Sequence, residues 1–185
     1  HRKDFVNQWN KENNSNAYQF MSPFVWYKQK EQIKISKEAK GSVFFISHSS
    51  ETFDNDFNED KIIDTVNSLA PEFHPVIFCF YFIDIQKNAH IKYQNKGFDI
   101  VTVVHRDSSN FIENFYKILK EHKFMLTNSI GGHLLFGVDF GMPVSYLYDL
   151  EPIKKVDEEY AKTALKTYNT DKTPAKAKKL FRGIQ

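Results

Sequence analysis

At 185 residues the chain has room for one packed domain with extensions and is too short for two full-sized ones. A hydrophobic content of 41%, with 18 phenylalanines, and a 26% charged content of mixed sign argue against general disorder. The net charge of +2, without a basic face interleaved with stacking aromatics, gives no nucleic-acid footprint.

Residues 1 to 39 read as an N-terminal extension. "NKENNSN" (10 to 16) is polar enough for a linker, whereas "MSPFVWYKQ" (21 to 29) is aromatic enough to pack onto something. From Ser42 the pattern alternates between short apolar runs and amphipathic stretches. "SVFFIS" (42 to 47) predicts a buried strand, and "DKIIDTVNSLA" (60 to 70) a helix with Ile62, Ile63, Val66 and Leu69 on one face. "PVIFCFYFID" (75 to 84) predicts a second strand, and "IQKNAHIKYQNKG" (85 to 97) a weaker helix closed by Gly97. The sole cysteine, Cys79, lies inside this second strand, as a buried hydrophobe rather than a reactive thiol.

"FDIVTVV" (98 to 104) is the third predicted strand, followed by the helix "FIENFYKILKEH" (111 to 122), with Ser108, Ser109 and Asn110 available to cap it. "FMLTN" (124 to 128), "IGGHLLFGVDFG" (130 to 141) and "PVSYLYD" (143 to 149) continue as strand, helix and strand. Residues 151 to 185 form a basic tail with an expected helix at 157 to 168. Residues 153 to 185 carry nine Lys/Arg against four acids.

Strands that are apolar on both faces and separated by helices predict an α/β fold. Specifically, residues 40 to 150 are expected to form a doubly wound, mainly parallel Rossmann-like sheet with helical N- and C-terminal extensions. Right-handed crossovers put every post-strand loop on one edge, where ligands of such sheets bind.

Three loops on that edge carry candidate chemistry. "TNSIGGH" runs from a strand end into a helix start. There, unpaired amides, partial positive charge and missing Cβ atoms at Gly131 and Gly132 suit a phosphate or diphosphate. Thr127, Asn128, Ser129 and a ring N–H of His133 are candidate donors; the alternative is that the glycines only permit a tight turn and close packing. His48, Ser49 and Ser50 follow the first strand and could donate to phosphate or sugar hydroxyls, or form a polar capping loop. His105 and Arg106 follow the third strand, with Arg106 suited to bidentate phosphate binding or to an ion pair with Asp107. Asp84, Asp149 and Glu151 could accept from sugar hydroxyls or cap helices. No H-x-x-x-H or Cys-His spacing is present, so no metal is expected.

From about Ser22 to Asp149 the chain resembles the C-terminal, donor-binding half of bacterial polysaccharide-biosynthesis glycosyltransferases of the GT-B type. The residues that carry this are "SPFVWY", "AKGSVFFISHSS", "PVIFCFYFIDI" with "GFDIVTV", "SNFIENFYKIL" and above all "TNSIGGHLLFGVDFGMPV". The resemblance implies that Asn128, Ser129, Gly131, Gly132 and His133 hold the phosphates of a nucleotide-sugar, with His48, Ser49 and Ser50 facing the cleft. It leaves the catalytic residues unassigned, because the general base belongs to an acceptor domain. A glycan or lipid-linked acceptor, a cytoplasmic setting at the inner face of the membrane, and membrane contact through the basic tail are the corresponding expectations. No cofactor besides the donor is expected. A sialyltransferase-like enzyme using a CMP-sugar, or a non-catalytic scaffold of a surface-polysaccharide system, are the alternatives.

Overall fold

A computed structural model describes residues 2–50, 53–150 and 153–156. Its centre is a five-stranded sheet, parallel throughout: β1 (Ser42–Phe45), β3 (Val76–Cys79), β4 (Ile100–Val101), β5 (Phe124–Thr127) and β6 (Val144–Tyr146), in the order β4-β3-β1-β5-β6. All four residues of β1 are buried, as a central strand covered on both faces requires.

Alternation along the strands sorts the core into two halves. Phe44, Phe78 and Leu126 point to one face, where Ile62, Ile63 and Val66 of α3 (Glu59–Asn67) and Tyr93 of α5 (Ile91–Asn95) pack on them. Val43, Phe45, Cys79 and Met125 point to the other. There they meet Phe115, Tyr116 and Leu119 of α6 (Phe111–Lys120) and Phe140 of α7 (Gly132–Phe140). The fold is therefore α/β and doubly wound. From β1 the chain winds outward through β3 and β4, then returns to build β5 and β6 on the other side, so the strand order reverses between β1 and β5. Ligands of such sheets bind at that point.

Several expectations need correction. The supposed linker at 10 to 16 is helical through Asn13, since α1 spans Arg2–Asn13. The helix expected over 85 to 97 is two short ones, α4 (Phe82–Gln86) and α5, broken where Asn88 adopts φ 60. Gly97 does sit just beyond the end of α5 with φ 88. No side chain caps α6; its Asn110 is engaged by the Ser108 hydroxyl instead. The segment 21 to 29 packs as expected: α2 (Pro23–Lys30) lies across α6 and α7. Its Phe24 stacks on Phe136 at 4.1 Å, and Lys28 pairs with Asp139.

Two strands were not announced by the sequence pattern. β2 (Phe53–Asp56) pairs antiparallel with β7 (Ile153–Val156) as a separate ribbon. The start of the expected helical tail is thus a strand, and its remainder, including the helix expected at 157 to 168, lies outside the described residues.

Candidate functional site at the strand ends

The loops that leave β1, β3, β4 and β5 converge at the switch point around a cavity of about 310 Å³. Its walls are Phe24 from α2, Phe111 and Phe115 from α6, Phe136 from α7, and Phe45, Cys79 and Val103 from the sheet. At its polar end stand His48, Tyr81, Arg106, Gly132 and His133. Four of the ten predicted site residues, from three loops far apart in sequence, therefore meet at one place. No carboxylate is among its lining residues. Arg106 is the one fixed cation among them, exposed and without an ion pair or hydrogen bond to any described residue. The expected alternative partner, Asp107, faces His105 instead, at 3.6 Å.

Helix α7 begins at Gly132, with Gly131 as an extended N-cap residue and no side-chain cap bond, so its first-turn amides lack the usual side-chain acceptor. The glycines have an internal use as well. A Cβ on Gly131 would lie 3.0 Å from the His133 ring, and one on Gly132 would lie 3.3 Å from Cε2 of Phe136. Gly131 thus makes room for the imidazole, whereas Gly132 is exposed and lines the cavity.

His133 is held from below. Its Nε2 is 2.8 Å from Oγ1 of Thr127, a fully buried hydroxyl that lies 3.1 Å from the Ser129 carbonyl oxygen and accepts from the Ser129 amide. Either the hydroxyl donates to the Ser129 carbonyl and accepts from Nε2–H, or it donates to Nε2 and the ring proton sits on Nδ1. Burial, reinforced by the neighbouring His48, lowers the His133 pKa from the ordinary 6.5 to about 4. At neutral pH it is an uncharged ring stacked on Phe45 at 5.6 Å. One of its ring nitrogens is engaged by Thr127.

Other candidate ligands are engaged by the protein itself. Asn128 is completely buried; its Oδ1 accepts the Ser47 amide at 2.7 Å, and its Nδ2 donates to the Leu150 carbonyl at 2.9 Å. It latches β1, β5 and the turn after β6 across the switch point. Ser49 is buried, donating its amide to Asp84 at 3.1 Å and accepting the Asn55 amide on Oγ at 3.2 Å. Ser50 accepts the Phe53 amide at 3.2 Å. Asp84 is only 3% exposed in the first turn of α4, which leaves the loop-anchoring role, and Asp149 pairs with Lys61 at 3.5 Å. His105 lies against Tyr81 and Phe82 outside the cavity, Ser129 and Gly131 do not line it, and Glu151 falls outside the described residues.

The sequence reading missed Tyr81 and Phe24. Tyr81 was assigned inside a strand that in fact ends at Cys79, which brings Tyr81 to the rim with its ring 4.7 Å from His48. Among the described residues no group of three His, Cys, Asp or Glu is placed to hold a metal ion. No helix among them is long and apolar enough to cross a membrane.

No known protein family matches the chain. Nor does any curated protein or solved structure.

Proposed function

We propose that the domain binds a nucleotide-activated sugar at this rim and acts as the donor half of a glycosyltransferase in cell-surface polysaccharide biosynthesis. The observation that carries the reading is the shared cavity at the switch point, lined by His48, Arg106, Gly132 and His133 together with a wall of aromatic rings. A nucleobase is a flat ring suited to packing against the aromatic wall of Phe24, Phe111 and Phe136, and a phosphate suits the guanidinium and uncapped amides that share the cavity. In the transfer, the bond from the sugar's anomeric carbon to the phosphate oxygen breaks, one to an acceptor hydroxyl oxygen forms, and the hydroxyl proton passes to a base on the acceptor side. Arg106 and the α7 amides would then stabilise the negative charge that builds on the leaving phosphate. Because Arg106 is the single fixed cation at the cavity, a donor with one phosphate, of the cytidine-monophosphate type, is the second reading.

A thermal-shift series with CMP, UDP and GDP tests the proposal, since a ligand that binds only the folded chain raises its melting temperature. At least one nucleotide should stabilise the protein. Arg106→Gln should weaken that nucleotide about tenfold or more while leaving the unliganded melt unchanged, because the side chain has no partner among the described residues. Absence of stabilisation by every nucleotide would remove the donor reading.

A further inference from the structure

A hydroxyl that attacks a donor in the strand-end cavity must lose its proton, and the lining residues offer few groups that could take it. Most are hydrocarbon side chains. Arg106 is a permanent cation with no lone pair to give, and Tyr81 carries a phenol, a proton donor in its ordinary form. The Cys79 thiol is buried with its pKa pushed up to about 12, so it holds its proton at neutral pH. Two imidazoles remain. His133 is a poor acceptor: burial and the neighbouring His48 lower its pKa to about 4, and its Nε2 is engaged by Thr127. Its Nδ1 is turned toward Gly131, where a Cβ would lie 3.0 Å away.

His48 differs in each respect. It is exposed, on the loop that leaves β1, and its Nδ1 lies 2.9 Å from the Ser49 carbonyl oxygen. A carbonyl oxygen only accepts, so the proton of the neutral ring sits on Nδ1 and the lone pair on Nε2, at the outer end of the ring. Nε2 has no hydrogen bond to any described residue. The loop beneath is anchored on both sides: Asn55 donates to the Ser47 hydroxyl at 3.1 Å and to the Ser49 hydroxyl at 3.2 Å, and the Ser49 amide donates to Asp84. The Tyr81 ring, 4.7 Å away, backs the imidazole. A proton acceptor oriented by a second group, at the open side of a cavity that also holds a cation, is the arrangement a general base requires.

We infer that His48 is the catalytic base of this domain, its Nε2 taking the proton of the attacking hydroxyl. The inference rests on the donor reading of the cavity, and it places in this chain a role that the glycosyltransferase resemblance leaves to an acceptor domain. In the step, the O–H bond of the acceptor breaks toward Nε2 and the oxygen bonds to the anomeric carbon. The bond from that carbon to the phosphate oxygen breaks with its electron pair, and Arg106 faces the resulting charge. The imidazolium then returns its proton to solvent, to which the ring is open. With water as the acceptor, the same step is hydrolysis of the donor.

Two measurements on the full chain test this. Nitrogen NMR of histidine-labelled protein at pH 8 should show His48 protonated on Nδ1 and bare on Nε2; a proton on Nε2 overturns the inference whatever the cavity binds. The second follows nucleotide release from CMP-N-acetylneuraminate, UDP-glucose and GDP-mannose in water, beside the thermal shifts given by CMP, UDP and GDP. The wild type should hydrolyse the donor whose nucleotide stabilises it. His48→Gln keeps a polar atom near the position of Nε2 but cannot take a proton. It should lose about a hundredfold or more in turnover while keeping the wild-type melt and the nucleotide-induced shift. Equal turnover by His48→Gln, or nucleotide binding by the wild type with no turnover above the uncatalysed rate, overturns the base and leaves the donor reading standing. Failure of every nucleotide to stabilise the wild type removes the donor reading, and this base with it.

Discussion

At the scale of single residues, the site is an uncharged histidine beside a free arginine rather than a cluster of cations. For His133 the unfolded ring takes up its proton near 6.5 and the folded ring only near 4, so between those values the unfolded chain holds more protons. Stability from this group is complete above about pH 6.5 and is lost as the pH falls toward about 4, by roughly 3 kcal/mol in all. Urea unfolding at pH 7 and pH 4.5 should show that loss in the wild type, with a flatter dependence in His133→Gln. Equal slopes would mean that the ring is not held neutral by its burial. The residue types at the rim were legible in the sequence, because loops after parallel strands share an edge. Their roles were not. Whether Asn128 faces a ligand or bridges Ser47 and Leu150 depends on partners 81 and 22 residues away, and no local pattern encodes such distances.

At the scale of elements, the strands of the main sheet and the helices α3 and α6 were legible from hydrophobic period, since each buries one face against a sheet, whereas α7 is apolar on its exposed side as well, at Leu135 and Val138. The short helices α4 and α5 ran together in the pattern, because the break depends on one left-handed residue, Asn88. β2 was silent, because "FDND" alternates half-buried with exposed residues on a ribbon that has no core to face. The entry to β1 rests on another backbone feature. Gly41 has φ 60 and accepts the amides of Lys123 and Phe124, and a Cβ there would lie 2.1 Å from the Pro75 carbonyl oxygen. Gly41→Ala should therefore cost about 3 kcal/mol or more in urea unfolding, combining backbone strain with a clash against backbone that holds two strands in place. Gly97→Ala, at φ 88 with nothing within 4 Å, should cost only about 1–2 kcal/mol. Similar costs for the two would show that close approach at Pro75 is not what Gly41 provides.

At the scale of the whole molecule, one core on each side of a single sheet makes opening of the interior a global event. Cys79 reports it: the thiol is 3% exposed, and burial pushes its pKa up to about 12. In native buffer at pH 8 a thiol reagent such as DTNB should react only as fast as the protein unfolds, and at once in denaturing urea. Immediate reaction of the native protein would mean that the reagent reaches Cys79 through the cavity it lines or that the sheet opens locally at β3. The ribbon of β2 and β7 acts at this scale too. Asn55 within it donates to the Ser47 and Ser49 hydroxyls, so the loop that presents His48 is moored to a strand whose mate comes about a hundred positions later. A chain cut short at Asp149 would leave β2 with raw main-chain donors and acceptors next to the cavity, an adhesive margin on the face meant for a ligand.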